Sequence, residues 1–171
     1  MSHYLELKDF NEFGVEQLYA LLKLRCDVFI VEQECAYPDI DGLDLGAKHL
    51  LMQNNAGDII GALRVLHADV DGDVFKIGRV VVSKEARGQG IAGKLMEAAL
   101  SYCAATNSEF RVELQAQAYL QDFYLRLGFF AISEIYPEDG IPHVDMRLKL
   151  PPESRSLIAT KEPAASSAVY A

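Results

Sequence analysis

The stretch Arg87-Gly88-Gln89-Gly90-Ile91-Ala92-Gly93-Lys94 concentrates residue types that can bind an anion. It follows the apolar run Val80-Val81-Val82. It opens a segment in which Ile91, Leu95, Met96, Ala99, Leu100 and Cys103 recur at helical spacing. The first turn of a helix carries N–H groups without intrahelical partners, and the helix dipole favours a negative charge there. Glycines let the backbone approach phosphate oxygens closely. Arg87 and Lys94 would add positive charge. The spacing predicts a phosphate or pyrophosphate site. Two nucleotide motifs overlap it. Gly88-x-x-x-x-Gly93-Lys94 nearly spells a triphosphate loop, but Leu95 stands where a magnesium-holding Ser or Thr is needed. Gly88, Gly90 and Gly93 match the dinucleotide fingerprint in letters. The stretch nevertheless comes late, after a hairpin-rich region, and no acidic residue clearly ends the next strand, although Glu113 lies 20 residues past Gly93.

Other residues could move protons. Residues 26–47 hold no Lys or Arg, but contain Asp27, Glu32, Glu34, Asp39, Asp41 and Asp44. Such a stretch would attract a cation and could accept protons through water; it equally fits a solvated acidic loop. Glu32 stands out because it directly follows an apolar helical run. His143, in a loop shaped by Gly140 and Pro142, is a candidate for substrate contact or proton relay, since an imidazole titrates near pH 6.5, and a structural role fits it as well. Tyr124 offers a phenol that could donate a hydrogen bond or a proton to a leaving group. Arg25 fits either substrate geometry or an internal ion pair.

These groups need elements to position them. His3 to Leu7 reads as a first strand. Asn11 would cap a helix with an apolar face of Val15, Leu18, Tyr19, Leu22 and Cys26, continuing through Val28, Phe29 and Val31. Strands are expected over 49–53, 59–66, 75–82, 111–116, 129–135 and 144–150, with a short helix over 119–127 stopped by Gly128 and a loop from Pro137 to Pro142. The run 80–82 has the character of a central strand buried on both faces. The strand, glycine-rich turn, helix and strand from Phe75 to Ala116 form a crossover unit. The expected architecture is α/β, a mixed sheet with helices on both faces.

Composition sets limits. The chain has 171 residues and is 50% apolar, which suits one domain with its own core. A formal charge of −9 disfavours nucleic acid as the main partner and agrees with a cationic substrate. No apolar run is long enough to span a membrane, and the N-terminus does not read as a secretory signal, so a cytoplasmic protein is the simplest expectation. Cys26, Cys35 and Cys103 lack metal spacing, the histidines at 3, 49, 67 and 143 are scattered, and Asp69, Asp71 and Asp73 do not complete a calcium loop; no metal is expected. Cys26 is expected to be a buried thiol. Residues 151–171, rich in Pro, Ser and Ala, read as a flexible tail after a single domain over 1–150. An unpaired sheet edge would let two copies form a homodimer, although no interface stripe is visible.

Across residues 3–149 the sequence resembles the GCN5-related N-acetyltransferases, and within them the bacterial ElaA-like group. The family motif of Gln or Arg, two residues, Gly, one residue, then Gly or Ala is met by Arg87, Gly90 and Ala92. A second element, Tyr with Gly-Phe following, is met by Tyr124-Leu-Arg-Leu-Gly128-Phe129. Arg25, Val28-Phe29-Ile-Val-Glu32-Gln33, Tyr37-Pro-Asp-Ile-Asp41-Gly-Leu-Asp44 and Glu138-Asp-Gly-Ile-Pro-His143 match the narrower group. Gln117 stands seven residues before the tyrosine, where many members have Asn.

The resemblance implies an acyl-CoA N-acyltransferase domain with a mostly antiparallel sheet, transferring acetyl from acetyl-CoA directly to an amine. The backbone of Val80, Val81 and Val82 would pair with the pantetheine amides. Amides of Arg87, Gly88, Gln89, Gly90, Ala92 and Gly93, with Lys94, would take the pyrophosphate, and Gln117 would stand in for the family Asn. Tyr124 would be the general acid, with Glu32 or His143 accepting protons and Arg25, Glu32, Asp41, Asp44 and His143 contacting the acceptor. A lysine-like amine is only about 0.04% neutral at pH 7, so proton removal needs help. The acceptor is expected to be a small cationic amine. A protein acetyltransferase and a CoA-binding regulator without turnover are the alternatives.

Overall fold

The computed structural model describes residues 3–67, 74–107 and 110–148. The expected turn at 69–73 and the tail at 151–171 lie outside the described residues. Among the described residues, eight strands form one sheet. They are β1 (Tyr4–Asp9), β2 (Lys48–Gln53), β3 (Ile59–His67), β4 (Val74–Val82), β5 (Arg111–Gln117), β6 (Phe129–Ala131), β7 (Tyr136–Glu138) and β8 (Ile141–Leu148). The order is β1-β2-β3-β4-β5-β8-β6, with β7 also paired to β8. Only β4 and β5 run parallel, and α2 (Ile91–Thr106) connects them. Helix α1 (Val15–Arg25) follows β1, and α3 (Gln121–Arg126) follows β5.

Alternation along the strands explains why both faces are covered. Leu50 and Met52 on β2, Leu63 and Val65 on β3, and Val80 and Val82 on β4 face one side. There they meet Ile91, Leu95, Met96, Ala99 and Cys103, the face the spacing predicts for α2. Leu51, Ala62 and Val81 point the other way and meet Leu21, Leu24, Val28 and Phe29. A strand with successive side chains on opposite faces can bury three valines in a row only between two helical layers.

Five expectations needed correction. Helix α1 starts at Val15 after Gly14, and residues 10–12 form a separate 3-10 turn in which Glu12 accepts the Asp9 N–H at 2.7 Å, so Asn11 is not the cap. The buried stripe of α1 is Leu21, Leu24 and Arg25, whereas Val15 and Tyr19 are exposed. Cys26 is likewise exposed rather than a buried thiol. The four leucines at 18, 21, 22 and 24 are all buried or half-buried and share one side of the helix with Arg25, whereas Val15, Tyr19 and Cys26 fall together on the exposed side. Finally, Pro137–Pro142 is not a loop. Glu138 pairs with Ile141 across Asp139-Gly140, whose φ values of 50° and 80° suit the tight turn that Asp-Gly favours. The strand expected over 129–135 ends at Ala131, where β8 bonds onward through Ile132 and Ser133.

Candidate active site

Strands β4 and β5 are in register only at Val74–Lys76 with Arg111–Glu113. Beyond that they diverge, and residues 77–82 lose a partner on the β5 side. On the β3 side the register slips between Ala62 and Arg64, where Arg79 sits at φ 53°. A positive φ is uncommon for a residue with a Cβ. Here the Arg79 side chain holds it. Its Nε lies 2.7 Å from Asp39 Oδ1, a charge contact without hydrogen-bond alignment, and its guanidinium stacks on Tyr37 at 5.3 Å.

The divergence opens a cavity of about 520 Å³, lined by Gly78 to Val80 on one bank and Leu114, Gln115 and Gln117 on the other. Tyr124 and His143 both line it. The Tyr124 ring is buried against Phe123 and Phe129, at 5.0 and 5.9 Å between centroids. Burial pushes its pKa far up, so it is a protonated donor at any physiological pH. His143 Nδ1 lies 2.8 Å from the Ile141 carbonyl oxygen. A carbonyl only accepts, so Nδ1 carries the proton in the neutral ring and Nε2 keeps its lone pair. The ring stacks on Tyr136, whose hydroxyl donates to Asp145 at 2.7 Å and accepts from Gln115 at 2.9 Å. Burial, then the bond to Asp145, raises Tyr136 to about 12.

At the end of β4, the turn opens α2 as its glycines predict. Gly88 and Gly90 have φ of 76° and 72°. The first intrahelical bond runs from Lys94 N–H to Gly90 O, so the N–H groups of Ile91, Ala92 and Gly93 precede it. Gly61 on β3 permits this close approach: a Cβ there would stand 2.7 Å from Ile91 Cγ2. Lys94 is exposed at this helix start.

Arg87 does not supply free positive charge. Its Nη1 and Nη2 donate to the two Glu32 oxygens at 2.7 and 2.8 Å. The Arg87 hydrogen bonds and charge lower the Glu32 pKa against a modest burial effect. That pairing also weakens Glu32 as a proton acceptor, and Glu32 does not line the cavity.

Burial argues against acceptor contact by Arg25 and Asp44. Arg25 is 2% exposed and donates to Asp39 at 2.9 Å and Asp44 at 2.8 Å. Arg64 bonds Asp41 at 2.7 Å and Asp44 at 3.1 Å. Asp41 does line the cavity, but Arg64 and Arg79 both contact it. The Arg64 hydrogen bond holds its carboxyl far below the usual range against desolvation. Three arginines and three aspartates thus neutralise one another, so the acidic stretch is largely an internal charge cluster. Two of its arginines, Arg64 and Arg79, come from β3 and β4, where they interrupt apolar strand patterns; that interruption was the available signal. Gln33, Gln115, Tyr136 and Asp145 carry no comparable mark.

His49, also buried here, donates from Nε2 to the Asp44 carbonyl at 3.0 Å. Desolvation lowers its pKa despite that bond and the Asp44 charge. The unfolded chain therefore takes up a proton near pH 6.5 that the folded protein resists. Stability attached to His49 is complete above that pH and falls as the pH drops through it. Urea titrations from pH 7.5 to 5 should show this loss, and His49→Gln should flatten the slope.

Among the described residues, no helix is long and apolar enough to cross a membrane, and no His, Cys, Asp and Glu group is arranged to hold a metal.

The wedge between β4 and β5, the glycine-started helix at its end and the tyrosine-lined cavity are the features expected of a CoA-dependent acyltransferase. Residues 8–150 match the model of the acetyltransferase (GNAT) domain, and the chain belongs to that family. It is 46% identical to protein ElaA of Escherichia coli over 138 residues, covering 80% of this chain and 90% of ElaA. The crystal structure of E. coli ElaA superposes with a TM-score of 0.81 at 41% identity, covering 86% of this chain and all of that one. An acyl-CoA N-acyltransferase from Pseudomonas aeruginosa gives 0.80 at 43% identity over the same shares. The protein is therefore an N-acetyltransferase of the ElaA-like type, with the mixed, mostly antiparallel GNAT sheet.

Proposed function

We propose that the protein transfers acetyl from acetyl-CoA to the primary amine of a small cationic molecule. The single observation carrying this reading is the continuity of the wedge: the open first turn of α2 lies at the end of β4, and the cavity with Tyr124 and His143 lies between β4 and β5. Residues 77–82 fit an extended pantetheine because they have no strand partner on the β5 side. The N–H groups of Ile91, Ala92 and Gly93, with Lys94 nearby, fit the pyrophosphate. Bound acetyl-CoA supplies an activated thioester.

The chain's own residues do the rest. Tyr124 holds a proton for the departing thiolate. His143 Nε2 accepts the amine proton. Glu138, Asp139 and Asp145 on the cavity wall favour a cation, since Glu113 there is paired with Arg147 at 2.7 Å.

The test is CoA thiol release with polyamines, aminoglycosides, amino acids, arylamines and lysine peptides, beside a control without acceptor. Turnover with small aliphatic amines is expected. His143→Gln should lower kcat about 10²-fold for strongly basic amines and much less for arylamines, which are already neutral. Preference for lysine peptides would favour a protein acetyltransferase. CoA binding without release by any acceptor would favour a regulator, and acceptor-independent hydrolysis would overturn amine transfer.

A further inference from the structure

Chain 26–32 continues α1 as π-helix, and the wide turns extend one bond past it. Gln33 N–H bonds Val28 O at 3.1 Å and Cys35 N–H bonds Ile30 O at 3.3 Å, each five residues back. A π turn takes up an extra residue and so turns the following positions back about the axis. Val28 and Phe29 stay in the core, and Glu32 and Gln33 emerge side by side at the wedge. Their side chains then diverge. Glu32 grips Arg87, which immediately precedes the Gly88-Gln89-Gly90 turn and also lies 3.4 Å from the Val82 carbonyl. Gln33 exchanges amide hydrogen bonds with Gln117 at the end of β5, at 3.1 and 3.4 Å. One dipeptide thus spans strands that no longer bond each other.

We infer that Glu32 and Gln33 are positioning residues that hold the two banks of the wedge at the separation acyl-CoA requires, Glu32 setting the phosphate turn through Arg87 and Gln33 setting Gln117. The inference rests on the acyl-CoA reading above. It removes Glu32 from proton transfer. It also explains why an arginine beside an anion site is paired with a carboxylate: a bidentate pair fixes the direction of the guanidinium and of the backbone that carries it. The anion itself is left to the backbone N–H groups.

The test is calorimetric CoA binding to the full chain, with steady-state kinetics and pH–rate profiles, for Glu32→Gln, Arg87→Gln and the double variant. Glu32 lies outside both core clusters and is partly exposed, so a thermal melt should show these variants folded. Glu32→Gln should raise the CoA Kd and the acetyl-CoA KM about tenfold. The pH–rate profile should keep its shape. The double variant should bind CoA about as weakly as Arg87→Gln alone, because both changes break one link. Gln33→Ala should raise KM by a smaller factor. Unchanged or tighter CoA binding in Glu32→Gln would overturn the inference, as would a lost pH limb with normal binding, which marks a proton acceptor. Failure of the wild type to bind CoA would overturn both this inference and the acyl-CoA reading.

Discussion

Arg25→Leu is expected to destabilise the protein by about 3–5 kcal/mol, the usual cost of leaving buried charges without their partner. Arg25, Asp39 and Asp44 are 2%, 7% and 6% exposed, so water cannot replace the lost guanidinium. Burial alone would raise the Asp44 pKa, but hydrogen bonds and charge from Arg25 and Arg64 outweigh it and hold it below the usual value. Removing Arg25 strips away the larger share of that support. Asp39 loses bonds from Arg25 to both its carboxylate and its carbonyl, the latter at 2.8 Å. For a domain of this size the melting temperature should fall by roughly 6–20 °C. Urea denaturation measures the loss directly. A change under 1 kcal/mol, with KM for the acceptor raised instead, would restore Arg25 to substrate contact.

Tyr124→Phe should lower kcat by about 10²–10⁴-fold and leave the CoA Kd unchanged. The ring is packed by Phe123 and Phe129, and a phenylalanine keeps those contacts. Only the hydroxyl disappears. A departing thiolate would then meet no proton donor at that position. Stopped-flow measurement of thiol release, with CoA titrated in parallel, separates chemistry from binding. A full transfer rate in the variant would remove Tyr124 from the chemistry and leave it a core residue.

The two variants also separate what each part of the sequence can convey. The glycine turn at the start of α2 was legible because its signals are local. Glycines at positive φ, a strand before and a helical stripe after lie within about 25 residues, and their roles follow from backbone conformation alone. The β2, β3, β4 and β5 strands were legible for the same reason, since alternation and turn residues are short-range signals. Asp139-Gly140 belongs with them; its hairpin was missed because two prolines nearby were read as loop.

Residues 26–47 mark the opposite limit. A run of carboxylates reads as an open acidic field, since sequence order does not say which distant side chains will face it. The sheet brings Arg64 and Arg79 to Asp39, Asp41 and Asp44, and the helix brings Arg25. Glu32 likewise reads as a candidate base from its neighbours alone, because Arg87, which pairs with it, lies 55 positions later.

By itself, then, the sequence determined most of the strands, the glycine turn that opens α2 and the family, because each is written in contiguous residues whose backbone preferences act locally. Tertiary structure alone decided which charges remain available for chemistry. A charge is active or silent according to the partners and solvent around it, and those are set by long-range packing.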